Sequence, residues 1–265
     1  MPNFFVELAR SDSKTALIQR EIQFNKSRLK RLLTGRVNSR SDQCVVDRWN
    51  DLTLLLDKTS VIDRGIHNLG NWETLQINRL LGEANCSNDT VFLDIGAHWG
   101  LYGMLAHQRG VKDIHLFEPD ARNRNQLYAQ LFLNNLENVF TIWPIAASDH
   151  DGTVRFKSSD QIEQGNRGGA GVVGSKTEGA TFVECRMLDG LLSYQGRKIV
   201  GKIDVEGHED QVLRGMVDLI SQNDVFLQIE VFPENREKVH ATAAELGLRF
   251  INRIALDDYF ESYSP

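Results

Sequence analysis

Asp94 and Glu118 each follow an apolar run, Val91-Phe92-Leu93 before the first and Asp113-Ile114-His115-Leu116-Phe117 before the second. A glycine turn, Gly96-Ala97-His98-Trp99-Gly100, comes directly after the first acid. A nucleoside-carrying cofactor needs this pattern. Glycine lets the backbone approach a ligand with no Cβ in the way. An acid about 20 residues past such a turn accepts hydrogen bonds from both ribose hydroxyls. A dinucleotide site has a second glycine two positions after the first, where the backbone meets the pyrophosphate. Here that position is His98, and the next glycine is Gly100. A pyrophosphate would meet a side chain. S-adenosylmethionine (SAM) has no phosphate, and its ammonium is a partner for Asp94. The turn therefore favours SAM over NAD, with Asp94, Gly96, Ala97, His98, Gly100 and Glu118 as cofactor-binding residues. A strand–turn–helix with no ligand is the plainer account of the glycines taken alone.

More polar residues end later strands. Ala146-Ala147-Ser148-Asp149 follows the third: its small residues leave room for a flat adenine, and Ser148 or Asp149 is placed to meet the exocyclic amine. A tight turn driven by Asp151-Gly152 accounts for the same residues. The fourth strand runs into Lys202-Ile203-Asp204-Val205-Glu206-Gly207-His208-Glu209, and the fifth ends at Glu230. Ligands of open α/β sheets bind outside the carboxyl ends of the strands. Asp94, Glu118, Ser148, Asp204, Glu206 and Glu230 all fall there.

Asp94-Ile95-Gly96-Ala97, Phe117-Glu118-Pro119, Ala146-Ala147-Ser148-Asp149 and Lys202-Ile203-Asp204-Val205-Glu206-Gly207-His208-Glu209 together resemble the FkbM family of SAM-dependent methyltransferases, over roughly residues 72–233. The last segment is the most specific. The resemblance implies a class I methyltransferase fold, a Rossmann-like, doubly wound and mostly parallel α/β sheet. It also implies methyl transfer to a hydroxyl, often on a sugar. His98 departs from the family, which more often has Asn there. Either side chain donates a hydrogen bond.

Methyl transfer from a sulfonium is a direct displacement, and aligning acceptor, methyl carbon and sulfur is mainly an orientation effect. A hydroxyl is a poor nucleophile near neutral pH, so a base or a metal must help. General-base help is worth about 10²–10⁴-fold. Asp204 is the first candidate base, because it ends the strand beside the expected methyl position. Glu206 and His208 follow, and His208 has the ordinary pKa closest to working pH. Asp204, Glu206 and Glu230 are the candidate ligands if Mg²⁺ does this work, although no metal motif of fixed spacing is present. For Glu209, capping the positive end of a helix is the simpler role.

These residues need an alternating scaffold. Apolar runs predict strands over 91–94, 113–117, 139–145, 199–205, 225–231 and 249–254, with helices over 99–109, 121–135, 209–221 and 233–246 between them. Such alternation argues for a parallel sheet with right-handed crossovers. A seventh strand has no clear place. Gly152–Phe156 and Thr181–Arg186 read as a hairpin, so 152–186 is an insertion. The glycine-rich Gly165–Gly171 at its tip is a candidate substrate lid, with Arg167 touching the acceptor, or a plain surface loop. Residues 1–70 read as a helical extension, with Val45–Leu56 as one of its helices, and 71–265 as the methyltransferase domain.

The 265 residues suffice for one α/β domain with extra elements. Apolar stretches are too short for a transmembrane helix, and nothing near Met1 resembles a secretory signal. Cys44, Cys86 and Cys185 have neither zinc nor disulfide-framework spacing, which fits a cytoplasmic protein. Residues 1–40 carry nine Lys/Arg against three acids, so the remainder holds −12 of the net −6. An acidic body argues against nucleic acid as a partner and leaves a small-molecule or glycan substrate. The basic segment reads as a solvated helical face, or as a docking surface for a membrane or a second subunit. Two rival functions are a catalytically silent methyltransferase-fold binding protein and a nucleotide-dependent oxidoreductase.

Overall fold

The computed structural model describes residues 43–84, 89–162, 167–174 and 176–262. The basic segment, with the helices and docking role expected of it, lies outside the described residues. So does the side chain of Arg167.

Val45–Leu56 is not a helix: β1 (Cys44–Trp49) and β2 (Leu52–Asp57) pair antiparallel. The turn between them puts Asn50 and Asp51 at φ 48° and 61°, the left-handed pair that a two-residue hairpin demands. Leu52, Leu54 and Leu56 are buried on one face, a period of two where helical spacing was expected. Two helices follow, α1 (Val61–Leu69) and α2 (Thr74–Glu83).

The central sheet is built from β3 (Thr90–Ile95), β4 (Asp113–Phe117) and β5 (Thr141–Trp143), with α3 (Leu101–Gln108) and α4 (Ala121–Leu133) as crossovers. The insertion supplies β6 (Ala146–Ala147), β7 (Gly152–Lys157), β8 (Gly171–Val172) and β9 (Thr181–Arg186), a small sheet in which β7 and β9 pair antiparallel as expected. The chain then returns to the central sheet through β10 (Lys198–Ile203), α5 (Glu209–Arg214), α6 (Val217–Ser221), β11 (Asp224–Glu230), α7 (Arg236–Glu245), β12 (Leu248–Ile254) and β13 (Asp257–Ser262). The helix expected over 209–221 is split at Gly215. A Cβ on Gly215 would sit 2.0 Å from the Ser148 carbonyl oxygen, so the chain bends where that carbonyl enters.

The seven strands run in the order β12-β13-β11-β10-β3-β4-β5. All are parallel except β13, which pairs antiparallel with β11 and β12. This is the seventh strand that the sequence did not place. Both faces are covered: Phe92 and Val200 pack on one side with Met104, Leu116 and the N-terminal hairpin. Leu93, Ile95 and Ile203 pack on the other with Leu213 and Leu227. Near-continuous apolar runs in β3, β10 and β11 follow from burial on both faces. Among the described residues no helix is long and apolar enough to cross a membrane.

Candidate active site

The carboxyl ends of β3, β4 and β10 open into a cleft. The β3 turn contributes Asp94, Gly96, Ala97 and His98, and the ends of the neighbouring strands contribute Glu118, Ala147, Asp204 and His208. Trp72 and Glu73, just before α2, form one wall. Phe156, Gly168, Ala170, Gly171 and Val172 of the insertion form another, and the turn at Arg167–Gly169 touches α1. Asp63 on α1 secures this arrangement by accepting from the Trp99 indole at 2.8 Å and from Gln126 at 2.7 Å.

Gly96 has φ 83°, and a Cβ there would lie 1.8 Å from the Asp204 carbonyl oxygen. The β3 and β10 ends therefore approach as closely as backbones can. The amides of Gly96 and Ala97 both donate to the Phe117 carbonyl, which ties the turn to β4. His98 has φ 53°, so the left-handed conformation that glycine favours is imposed on a histidine. Its amide donates to Glu118 Oε2 at 2.8 Å, and the Asp120 amide donates to Glu118 Oε1 at 2.7 Å. Burial nevertheless pushes Glu118 up to about 8. Asp94 is buried, accepts from the Gly103 amide at 3.2 Å, and is pushed by burial to about 6.

Lys202 lies under the cleft, buried, with Nζ 4.9 Å from the Tyr102 ring centre. It donates to Asp204 at 2.5 Å. Burial works against its charge, but Asp204, Glu73, Glu230 and Asp257 outweigh that and keep it protonated. Burial likewise opposes the Asp204 charge, and Lys202 overcomes it, so Asp204 stays below the usual carboxylate range. Glu230 is hydrogen-bonded to Asp204 and pushed to about 11 by the Asp204 charge and by burial. The Asp204–Glu230 pair therefore shares one proton near neutral pH. Burial depresses His208, so its imidazole is neutral there, with Nε2 3.0 Å from Ser148 Oγ.

The structure brings Asp94, Gly96, Ala97, His98, Glu118, Asp204 and His208 to one cleft. Gly100 and Ser148 stand behind the lining: a Cβ on Gly100 would meet Leu127 at 2.4 Å, and the buried Ser148 hydroxyl is turned to His208. Glu206 also lies beside the lining, at φ 57°, and is pushed to about 8 by burial and by Asp204 and Glu209. Glu209, the first residue of α5, accepts from the Gly207 amide at 2.8 Å, which lies before the helix and is not a cap of it. The magnesium expectation is not supported. Among the described residues no group of three or more His, Cys, Asp or Glu is arranged to hold a metal. Asp204 is instead engaged by Lys202 and Glu230.

Sequence reasoning missed Trp72, Glu73, Tyr102 and Lys202. Lys202 carried a signal: a lysine inside an apolar strand, Ile199-Val200-Gly201-Lys202-Ile203, must bury its charge beside an acid. Glu73 carried none: it lines the cleft from a position just before α2, at φ 44°, where no local pattern marks a site residue.

The model of the FkbM methyltransferase domain matches residues 94–253, more than half of the chain. The chain belongs to the FkbM methyltransferase family. The strand order, with its single antiparallel strand, is the class I methyltransferase arrangement that the sequence pointed to. No curated protein is similar enough to this FkbM chain to match it. Solved structures give distant likenesses. Magnesium protoporphyrin IX methyltransferase from Synechocystis PCC 6803, with bound SAM, is 12% identical over 96% of this chain and 97% of that one, with a TM-score of 0.43. Ribosomal protein L11 methylase from Lactobacillus delbrueckii subsp. bulgaricus is 14% identical over 72% of this chain and 79% of that one, with a TM-score of 0.40. Precorrin-6y C5,15-methyltransferase from Geobacter metallireducens GS-15 is 10% identical over 70% of this chain and 86% of that one, with a TM-score of 0.39.

Proposed function

We propose that this FkbM methyltransferase takes its methyl group from SAM and delivers it to a hydroxyl of a sugar or glycan. The observation that carries the reading is the convergence of Asp94, Glu118 and Asp204 on one cleft, over a Gly96 turn with no room for a side chain. The residues present fit SAM. Ile145, Ala146 and Ala147 offer a flat apolar slot for adenine. Each Glu118 oxygen takes one backbone amide and keeps a lone pair for a ribose hydroxyl. His98 blocks the close backbone approach that a pyrophosphate needs.

SAM, when bound, supplies an electrophilic methyl carbon. Asp204, ionised and held by Lys202, accepts a hydrogen bond from the acceptor hydroxyl and orients it. His208 is neutral and lines the same cleft, so it receives the proton the hydroxyl gives up. Gly168 to Val172 of the insertion cover the cleft as a lid and exclude water. Carboxylates in the cleft lining suit a neutral, hydroxyl-rich acceptor.

Calorimetric titration with SAM and with NAD⁺, then transfer of labelled methyl from SAM to sugars, nucleotide sugars and glycan ends, tests the reading. Micromolar SAM binding and label recovered as a sugar methyl ether support it. NAD⁺ binding without SAM binding, or label on nitrogen or carbon, overturns it.

A further inference from the structure

The cleft has two ends. Glu118 follows β4 and Ala147 lies beyond β5, on one side of β3 in the sheet. Lys202 and Asp204 belong to β10, on the other side. Glu73 comes to this second end. Its carboxylate is fixed by the Tyr102 hydroxyl, which donates to it at 2.8 Å and accepts from Gln228 at 3.1 Å. Its φ of 44° is a conformation that a non-glycine residue keeps only where its surroundings over-determine it. Glu73 also precedes the segment 94–253 that defines the family domain.

We propose that Glu73 is a cofactor-binding residue that pairs with the ammonium at the amino-acid end of SAM, an inference that rests on the SAM reading above. With ribose on Glu118 and adenine toward Ala147, the amino-acid end lies over β3 and β10. Carboxylates outnumber cations there: Glu73, Asp94, Asp204, Glu230 and Asp257 surround one lysine. Asp204 and Glu230 share a proton. Asp257 is buried and takes Gln228 at 2.8 Å, behind the lining. Asp94 is buried and takes the Gly103 amide. Glu73 is half-buried and lines the cleft, so its carboxylate is the one presented to an incoming cation. Burial raises it above the usual range, against the pull of Lys202 and of hydrogen bonds from Tyr102 and Trp72.

The test compares two ligands on the full chain by calorimetry: S-adenosylhomocysteine, which carries the ammonium, and 5′-methylthioadenosine, which lacks the amino-acid end. Glu73→Gln is expected to weaken S-adenosylhomocysteine at least tenfold and to leave 5′-methylthioadenosine within about twofold. Unchanged affinity for the first ligand, or equal loss of both, overturns the assignment. Should Glu73→Gln not fold, Glu73→Asp carries the test through the ratio of the two affinities. A drop of threefold or more supports the role, and an unchanged ratio overturns it. If the unaltered protein binds neither ligand, the SAM reading falls and this inference falls with it. Binding of both with an unchanged ratio removes Glu73 alone.

Discussion

Gln130 holds both backbone groups of Leu55: its Oε1 accepts from the Leu55 amide at 2.9 Å, and its Nε2 donates to the Leu55 carbonyl at 2.8 Å. One turn on, Asn134 does the same for Thr53, at 2.8 Å in each direction. A face of α4 thus takes the place of a third strand beside β2. Gln130 is fully buried, so Gln130→Leu would leave the Leu55 amide unpaired and cost about 1–3 kcal/mol. Urea unfolding measures the loss. A midpoint equal to the unaltered protein's would show that the ladder contributes nothing.

On the proposed SAM reading, Glu118 ties cofactor affinity to pH. Ribose hydroxyls donate, so they favour the ionised carboxylate, and S-adenosylhomocysteine affinity should rise as pH passes through about 8. Glu118→Ala should weaken binding tenfold or more, about 1.4 kcal/mol, with the fold intact. Stability runs the other way. The folded pKa is raised above the ordinary 4.5, so the group's contribution is fully present below pH 4.5 and is lost as pH rises through about 8. Glu118→Gln is therefore expected to melt about 2–4 °C higher than the unaltered protein at pH 9, with no gain at pH 4. A gain independent of pH would separate the effect from this carboxyl group.

Gly96→Ala places a methyl 1.8 Å from the Asp204 carbonyl oxygen, on a backbone with φ 83°. The β3 and β10 ends must then part. Loss of detectable S-adenosylhomocysteine binding, with a lower melting temperature, is expected in calorimetry and thermal scans. Retained affinity would mean that the close approach is not needed for the ligand.

His208→Gln and Asp204→Asn should each lower kcat by about 10²–10⁴-fold while S-adenosylhomocysteine affinity stays within a few-fold. Burial holds His208 below its usual range, so activity in the unaltered protein should rise with pH below neutrality as the imidazole loses its proton. His208→Gln should flatten that rise. A rise that survives in the variant would assign the base elsewhere.

Much of the fold was legible because buried parallel strands write themselves as apolar runs. The ends of β3, β4, β10 and β11 fell within a residue or two of expectation, and with them the strand-end acids. β1 and β2 resemble a helix in sequence because Val45, Trp49, Leu52 and Leu56 also fit a helical period, and only the turn at Asn50-Asp51 separates them. β13 was missed because its place in the middle of the sheet depends on pairing across strands, which no local pattern records. The glycine turn after β3 could be read from a few consecutive residues. The wall at Trp72 and Glu73 could not, since it reaches the cleft only through the packing of α1 on the Trp99 turn.

The late arrival of β13 imposes an order on synthesis. The strand slots between β11 and β12, both made before it. Until it emerges from the ribosome, β12 has no neighbour to join, and the edge of β11 stays open. Asp257, which opens β13, anchors Gln228, and Gln228 in turn contacts Tyr102 and so Glu73. A nascent chain that has already made the glycine turn and every strand-end acid therefore still lacks the anchor of the Glu73 wall. The Glu73 side of the cleft is thus completed only when β13 has been threaded in between strands made before it.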